Sequence, residues 1–161
     1  MNKRVALSEL SPVITEILQN DGQVIITVTG VSMFPMLRHH RDKVSLVGSR
    51  EGYLKKYDIV LFVRPGGKYI LHRIVAVKET GYVMIGDNQY VKEYPVLPSQ
   101  VVGVVKGFWR NKKYISCDNF IYYLYCRFWV QSYPLRLLYS KCRQGYLKLL
   151  KKIDLAVGQY E

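Results

Sequence analysis

Tyr69-Ile70-Leu71-His72-Arg73-Ile74-Val75-Ala76-Val77, followed by Lys78-Glu79-Thr80-Gly81 and then Tyr82-Val83-Met84-Ile85, reads as two β-strands folded back on each other. Branched and aromatic side chains suit a pleated, half-buried surface, and a short loop containing glycine lets the chain reverse. Working outward, Pro65-Gly66-Gly67 marks a second hairpin turn between this pair and a strand over residues 58–63. Further runs of the same composition cover 23–29, 43–47 and 101–106. The spacing predicts a mostly antiparallel β domain.

Ahead of the first strand, Ser11 and Pro12 read as an N-cap and a first-turn proline. Leu10, Ile14, Ile17 and Leu18 then recur at helical spacing until Asn20-Asp21-Gly22 stops the pattern, which predicts one short amphipathic helix. From Phe108 the texture changes: large aromatics and leucines alternate with Arg and Lys. The run 120–130 is short for a membrane span and is interrupted by Arg127. Beyond Pro134, Leu135, Leu138, Tyr139, Cys142, Tyr146 and Leu149 fall at spacings of three and four among Arg136, Lys141, Arg143 and Lys148. The expected division is therefore a domain over 1–107 and a basic, aromatic, helical extension over 108–161.

The chain of 161 residues is long enough to bury a core without disulfides or a structural metal. Its net charge of +12 is concentrated, because residues 106–152 hold eleven Lys and Arg against Asp118 alone. Cys117, Cys126 and Cys142 are odd in number and show no CxxC, which points to a reducing compartment. The N-terminus lacks the apolar run of a signal peptide or anchor. The expected location is cytoplasmic or peripheral to a membrane.

Three groups carry candidate chemistry. In Thr29-Gly30-Val31-Ser32-Met33-Phe34-Pro35 a serine stands where a strand ends, with glycine relieving the backbone beside it, so its hydroxyl is open to a passing peptide. Such a hydroxyl needs a base. His39 and His40 lie in the cationic turn Arg38-His39-His40-Arg41, where imidazolium is disfavoured, whereas His72 sits inside a β run. Two carboxylates could orient an imidazole: Asp87, in the turn Gly86-Asp87-Asn88-Gln89, and Glu93, six residues on. Turn chemistry alone accounts for Asp87-Asn88, so spacing does not choose between them.

In this order and with these gaps, the segments resemble the S24/S26 superfamily of serine peptidases, which includes type I signal peptidases and LexA-like repressors. The resemblance covers residues 20–107. Gly30-Val31-Ser32-Met33-Phe34-Pro35 looks like its nucleophile box, and Arg41-Asp42-Lys43-Val44 like the Gly-Asp-x-Val that follows, without the glycine. Tyr57-Asp58-Ile59-Val60-Leu61-Phe62 resembles a Gly-Asp-[IV]-V-x-F strand, and Leu71-His72-Arg73-Ile74-Val75 the segment that presents the base. Gly86-Asp87-Asn88-Gln89 is similar to a Gly-Asp-Asn box, and Val102-Gly103-Val104-Val105 to the closing strand.

The resemblance implies a mainly β fold, a coiled antiparallel domain of the signal peptidase/LexA kind, and a serine endopeptidase that cuts a peptide or protein precursor. Ser32 would be the nucleophile, His72 the base in place of the lysine common in bacterial relatives, and Asp87 or Glu93 the third group. Histidine, with a reference pKa of about 6.5 against about 10.4 for lysine, needs less tuning to be neutral at pH 7. Gly30, Met33 and Pro35 are expected to meet the substrate. No cofactor or metal is implied.

A self-cleaving repressor would need a helix-turn-helix domain before residue 20, for which there is no room. The competing reading is a non-enzymatic or inactive relative that binds a membrane or partner through its basic segment. Peripheral membrane contact is expected over 120–153. Nucleic acid is not an expected partner, since single-strand binders usually display aromatics on a sheet.

Overall fold

The computed structural model describes residues 10–49 and 54–157. The reading of the extreme N-terminus falls, for residues 1–9, outside this range. A helix α1 (Ser11–Gln19) precedes eight strands: β1 (Gln23–Thr27), β2 (Lys43–Val47), β3 (Ile59–Val63), β4 (Tyr69–Lys78), β5 (Gly81–Ile85), β6 (Glu93–Val96), β7 (Val101–Arg110) and β8 (Lys113–Ser116). Helices α2 (Phe120–Gln131) and α3 (Tyr133–Val157) follow. All strand pairings are antiparallel, in the order β1-β2-β7-β3-β4-β5-β6, with β8 also on β7. The mainly β expectation holds at this level.

Both anticipated hairpins form. Gly66 and Gly67 adopt φ of +95° and +80° between β3 and β4, a conformation that glycine takes without steric cost. Glu79 and Thr80 close the β4–β5 turn, with Lys78 paired to Gly81. Two details differ. The helix begins at Ser11 with Leu10 in the capping position, so Ser11 is not the N-cap. The expected boundary at 107/108 falls inside β7, which runs on to Arg110 and pairs with β8.

The chain divides after Arg127 into two compact units. In the first, side-chain alternation along β3 feeds two clusters. Ile59 and Leu61 join Leu37, Val44, Leu46 and Phe108, while Val60 and Phe62 join Ile74, Tyr82, Met84 and Val96. Burial on both faces explains why β3 reads as an unbroken apolar run, Ile59-Val60-Leu61-Phe62-Val63. Helix α1 enters the first cluster through Ile14 and Leu18, and the first turns of α2 enter it through Tyr122 and Cys126. Each fully buried aliphatic or aromatic side chain contributes roughly 1.5–3 kcal/mol.

In the second unit, the guanidinium of Arg136 lies 4.1 Å from the centre of the Trp129 ring and donates to the Trp129 carbonyl at 3.0 Å. The Ser132 hydroxyl donates to the same carbonyl, satisfying an acceptor left open where α2 ends. No described helix is long and apolar enough to cross a membrane.

Candidate active site

Ser32 is held in a short irregular segment between β1 and β2. Gly30 takes φ +84°, a left-handed conformation unfavourable for other residues, and its amide donates to His39 Nδ1 at 2.8 Å. Just beyond Ser32, the Phe34 amide donates to the Val31 carbonyl and the Leu37 amide to the Met33 carbonyl, forming a tight turn. Met33, Met36 and Leu37 are buried in the first cluster and pin that turn down. Met33, expected to meet the substrate, has a side chain 2% exposed that anchors the loop in the first cluster. The exposed apolar side chains beside Ser32 are Val31 and Phe34, while Pro35 is half-buried and Gly30 exposed.

His72 lies on β4 opposite Val60, with 1% exposure, and its ring centre is 6.0 Å from that of Phe62. Gly86, at the end of β5, brings it to the serine. A Cβ placed on Gly86 would meet the Ser32 carbonyl oxygen at 2.7 Å, His72 Nε2 at 3.0 Å and Ser32 Cβ at 3.1 Å. The serine and the imidazole thus both border the space beside the Gly86 Cα, and only glycine leaves that space clear. The Asn88 amide donates to the Ser32 carbonyl at 2.7 Å, tying the turn after β5 to the serine loop.

The two carboxylates part company. Adjacent residues of a strand point to opposite faces, so His72 and Arg73 look away from each other. Asp87 is drawn to the Arg73 side, where Arg73 Nε and Nη2 donate to its two oxygens at 2.8 and 2.7 Å. Arg73 is fully buried and also donates through Nη1 to the Tyr57 carbonyl, the Tyr122 hydroxyl and Cys126 Sγ. Burial works against this charge, but the Asp87 carboxylate holds the guanidinium protonated. Tyr57 presents its carbonyl from a left-handed backbone, φ +86°.

Glu93, at the start of β6, brings Oε1 to 2.8 Å from His72 Nδ1. The approach is oblique to the ring N–H, so it is an electrostatic contact and not a well-aligned hydrogen bond. Arg64, in the β3–β4 hairpin, grips the same carboxylate, donating from Nε at 2.5 Å and Nη2 at 2.8 Å.

Burial pushes the His72 pKa below the ordinary imidazole value; the Glu93 charge opposes this and the Arg64 charge adds to it. Partial burial alone would raise the Glu93 carboxyl, but the hydrogen bonds and charge of Arg64, together with His72, hold it lower. Arg64 thus acts on both groups, favouring the charged Glu93 and opposing a charged His72. The arrangement brings a serine and an imidazole to the same glycine, with a carboxylate held by Arg64 at the far ring nitrogen.

Among the described residues no hydrogen bond joins Ser32 Oγ to His72, and the Ser32 amide has no acceptor. The open amide has the geometry to donate to a bound oxygen. A cavity of about 1090 Å³ lies elsewhere, lined by residues such as Lys55, Asp58, Lys106, Cys117 and Tyr122 and by none of Ser32, His72 or Glu93. No group of three or more metal-ligating side chains occurs among the described residues. The chain matches no protein-family model and no curated protein.

Proposed function

We propose that the protein is a serine endopeptidase of the signal peptidase/LexA superfamily type, acting on a peptide or protein precursor. The observation that carries this reading is the meeting of Ser32 and His72 Nε2 over Gly86, with Glu93 on the opposite ring nitrogen. His72 Nε2 takes the Ser32 hydroxyl proton as Oγ attacks the scissile carbonyl, and the resulting oxyanion accepts from the Ser32 amide. The imidazolium then gives that proton to the leaving amine, and the C–N bond breaks. In the second half, water loses a proton to His72 and adds to the acyl-serine; His72 then gives that proton to Oγ as the C–O bond breaks, releasing the new carboxyl end and restoring Ser32 and neutral His72.

Glu93 acts as a positioning residue: its charge favours the imidazolium that forms twice in the cycle. Val31 and Phe34, exposed on either side of the nucleophile, are the side chains best placed to meet those of a substrate.

The test is acylation by a fluorophosphonate probe followed by intact-mass measurement. The wild type should gain one adduct, and Ser32→Ala and His72→Ala should gain none at the same exposure. A folded wild type that stays unlabelled from pH 6 to 9 would remove the proposal.

A further inference from the structure

The second unit carries a surface that catalysis does not use. Helix α3 turns 100° per residue, which gathers Leu135, Leu138, Tyr139, Cys142, Tyr146 and Leu150 into one sector about 120° wide. These side chains are not packed away: Leu135 is 71% exposed, Tyr139 70% and Tyr146 61%. Arg136 and Arg143 border the sector on one side, and Lys141 and Lys148 on the other. No acidic residue occurs from Tyr133 to Ile153. Helix α2 exposes an apolar row of its own, including Phe120, Ile121, Leu124 and Phe128.

We infer that α3 is an interfacial helix that lies flat on an anionic lipid surface. Its apolar sector enters the boundary between headgroups and acyl chains, and its flanking cations reach the phosphates. The charge pattern selects this occupant. A second copy of the helix would bring two sets of cations side by side, with Asp154 near its end as the one acid of the helix, which opposes pairing. An acidic macromolecule would use the cations but leave the apolar sector wet. A bilayer rich in anionic lipid satisfies both at once. The helix lies on the membrane and does not span it, since no described helix is long and apolar enough to cross. At 25 residues it is about 37 Å long, so its whole apolar sector contacts the surface only when it lies flat.

The full chain would be floated with vesicles of phosphatidylcholine alone and with vesicles containing one-quarter phosphatidylglycerol. Binding is expected to the anionic vesicles, at least about tenfold tighter than to the neutral ones and weakened severalfold when salt is raised from about 0.1 to 0.5 M. The double substitution Leu138→Glu with Tyr146→Glu should abolish flotation while leaving circular dichroism and probe labelling unchanged. Equal binding to both vesicle types would overturn the inference. So would capture by soluble polyglutamate at the vesicle affinity, indifferent to the double substitution. A dimer by light scattering that the substitution dissociates, with no vesicle binding, would assign the sector to a second copy. The inference stands apart from the peptidase reading, because flotation requires no catalysis.

Discussion

Asp87→Asn should damage the fold more than the chemistry. The Arg73–Asp87 pair is bidentate, with side-chain exposures of 0% and 1%, so water cannot take over from a lost partner. Removing one member of a buried pair typically costs about 3–5 kcal/mol, because the other charge stays behind, whereas exposed pairs are worth about 0–1 kcal/mol. With a urea dependence of about 2 kcal/mol per molar, the unfolding midpoint should fall by about 2 M. Urea titration followed by the fluorescence of Trp109 and Trp129 measures this. Replacing both charges, Arg73→Met with Asp87→Leu, should recover part of the loss. A drop below about 1 kcal/mol would refute the pairing argument. An unchanged midpoint with abolished probe labelling would instead place Asp87 in the chemistry.

Glu93→Gln should do the reverse: a midpoint within about 1 kcal/mol of wild type and a probe acylation rate lower by about 10²-fold or more, measured by timed intact-mass samples. The acid limb of the pH–acylation profile should have its midpoint below about 6.5, because burial disfavours imidazolium and keeps the base neutral to lower pH. Its displacement tests the neighbours: Glu93→Gln removes a charge that favours imidazolium and should move the limb further down, whereas Arg64→Met removes a cation that disfavours it and should move the limb up. A limb above about 7 in the wild type would contradict the burial argument. Gly86→Ala should cut acylation at least about 10²-fold with circular dichroism preserved, since the new methyl group occupies the space between Ser32 and His72. Under native conditions iodoacetamide should modify Cys142 first, because Cys142 is exposed while burial raises the thiol pKa of Cys117 to about 11 and also raises that of Cys126; equal rates at all three would contradict this.

The strands that could be read in the sequence are those whose side chains carry the pattern themselves. β2 appears over the residues anticipated, and β3, β4 and β5 within a residue or so, because branched apolar residues mark them and glycine turns end them. β6 and β8 escaped. Glu93-Tyr94-Pro95-Val96 contains a proline at the sheet edge, and Lys113-Tyr114-Ile115-Ser116 is short and polar, so their pairing with β5 and β7 is set by neighbours and not by composition. The site followed the same rule. Ser32 and His72 stand out locally, but Asp87 and Glu93 have equal claims until the sheet places Arg73 and His72 on opposite faces. Arg64 gave no signal at all, since its partner lies 29 residues away on another strand. Met33's side chain turns into the core while Val31 and Phe34 beside it are exposed, a division that the local sequence does not show.

The company that Arg73 keeps also bears on how the domain folds. Its partners come from four separate places: the bend before β3, the turn after β5, and two successive turns of α2. A permanent charge cannot rest in the interior until enough of them have arrived, so a sheet assembled without its helix would hold that guanidinium open to water and remain incomplete. Residues from 57 to 126 therefore share one buried charge that none of them satisfies alone. Half-built forms are disfavoured, and the segment that carries Tyr122 and Cys126 belongs to the domain's folding unit even though its composition reads as an appendage.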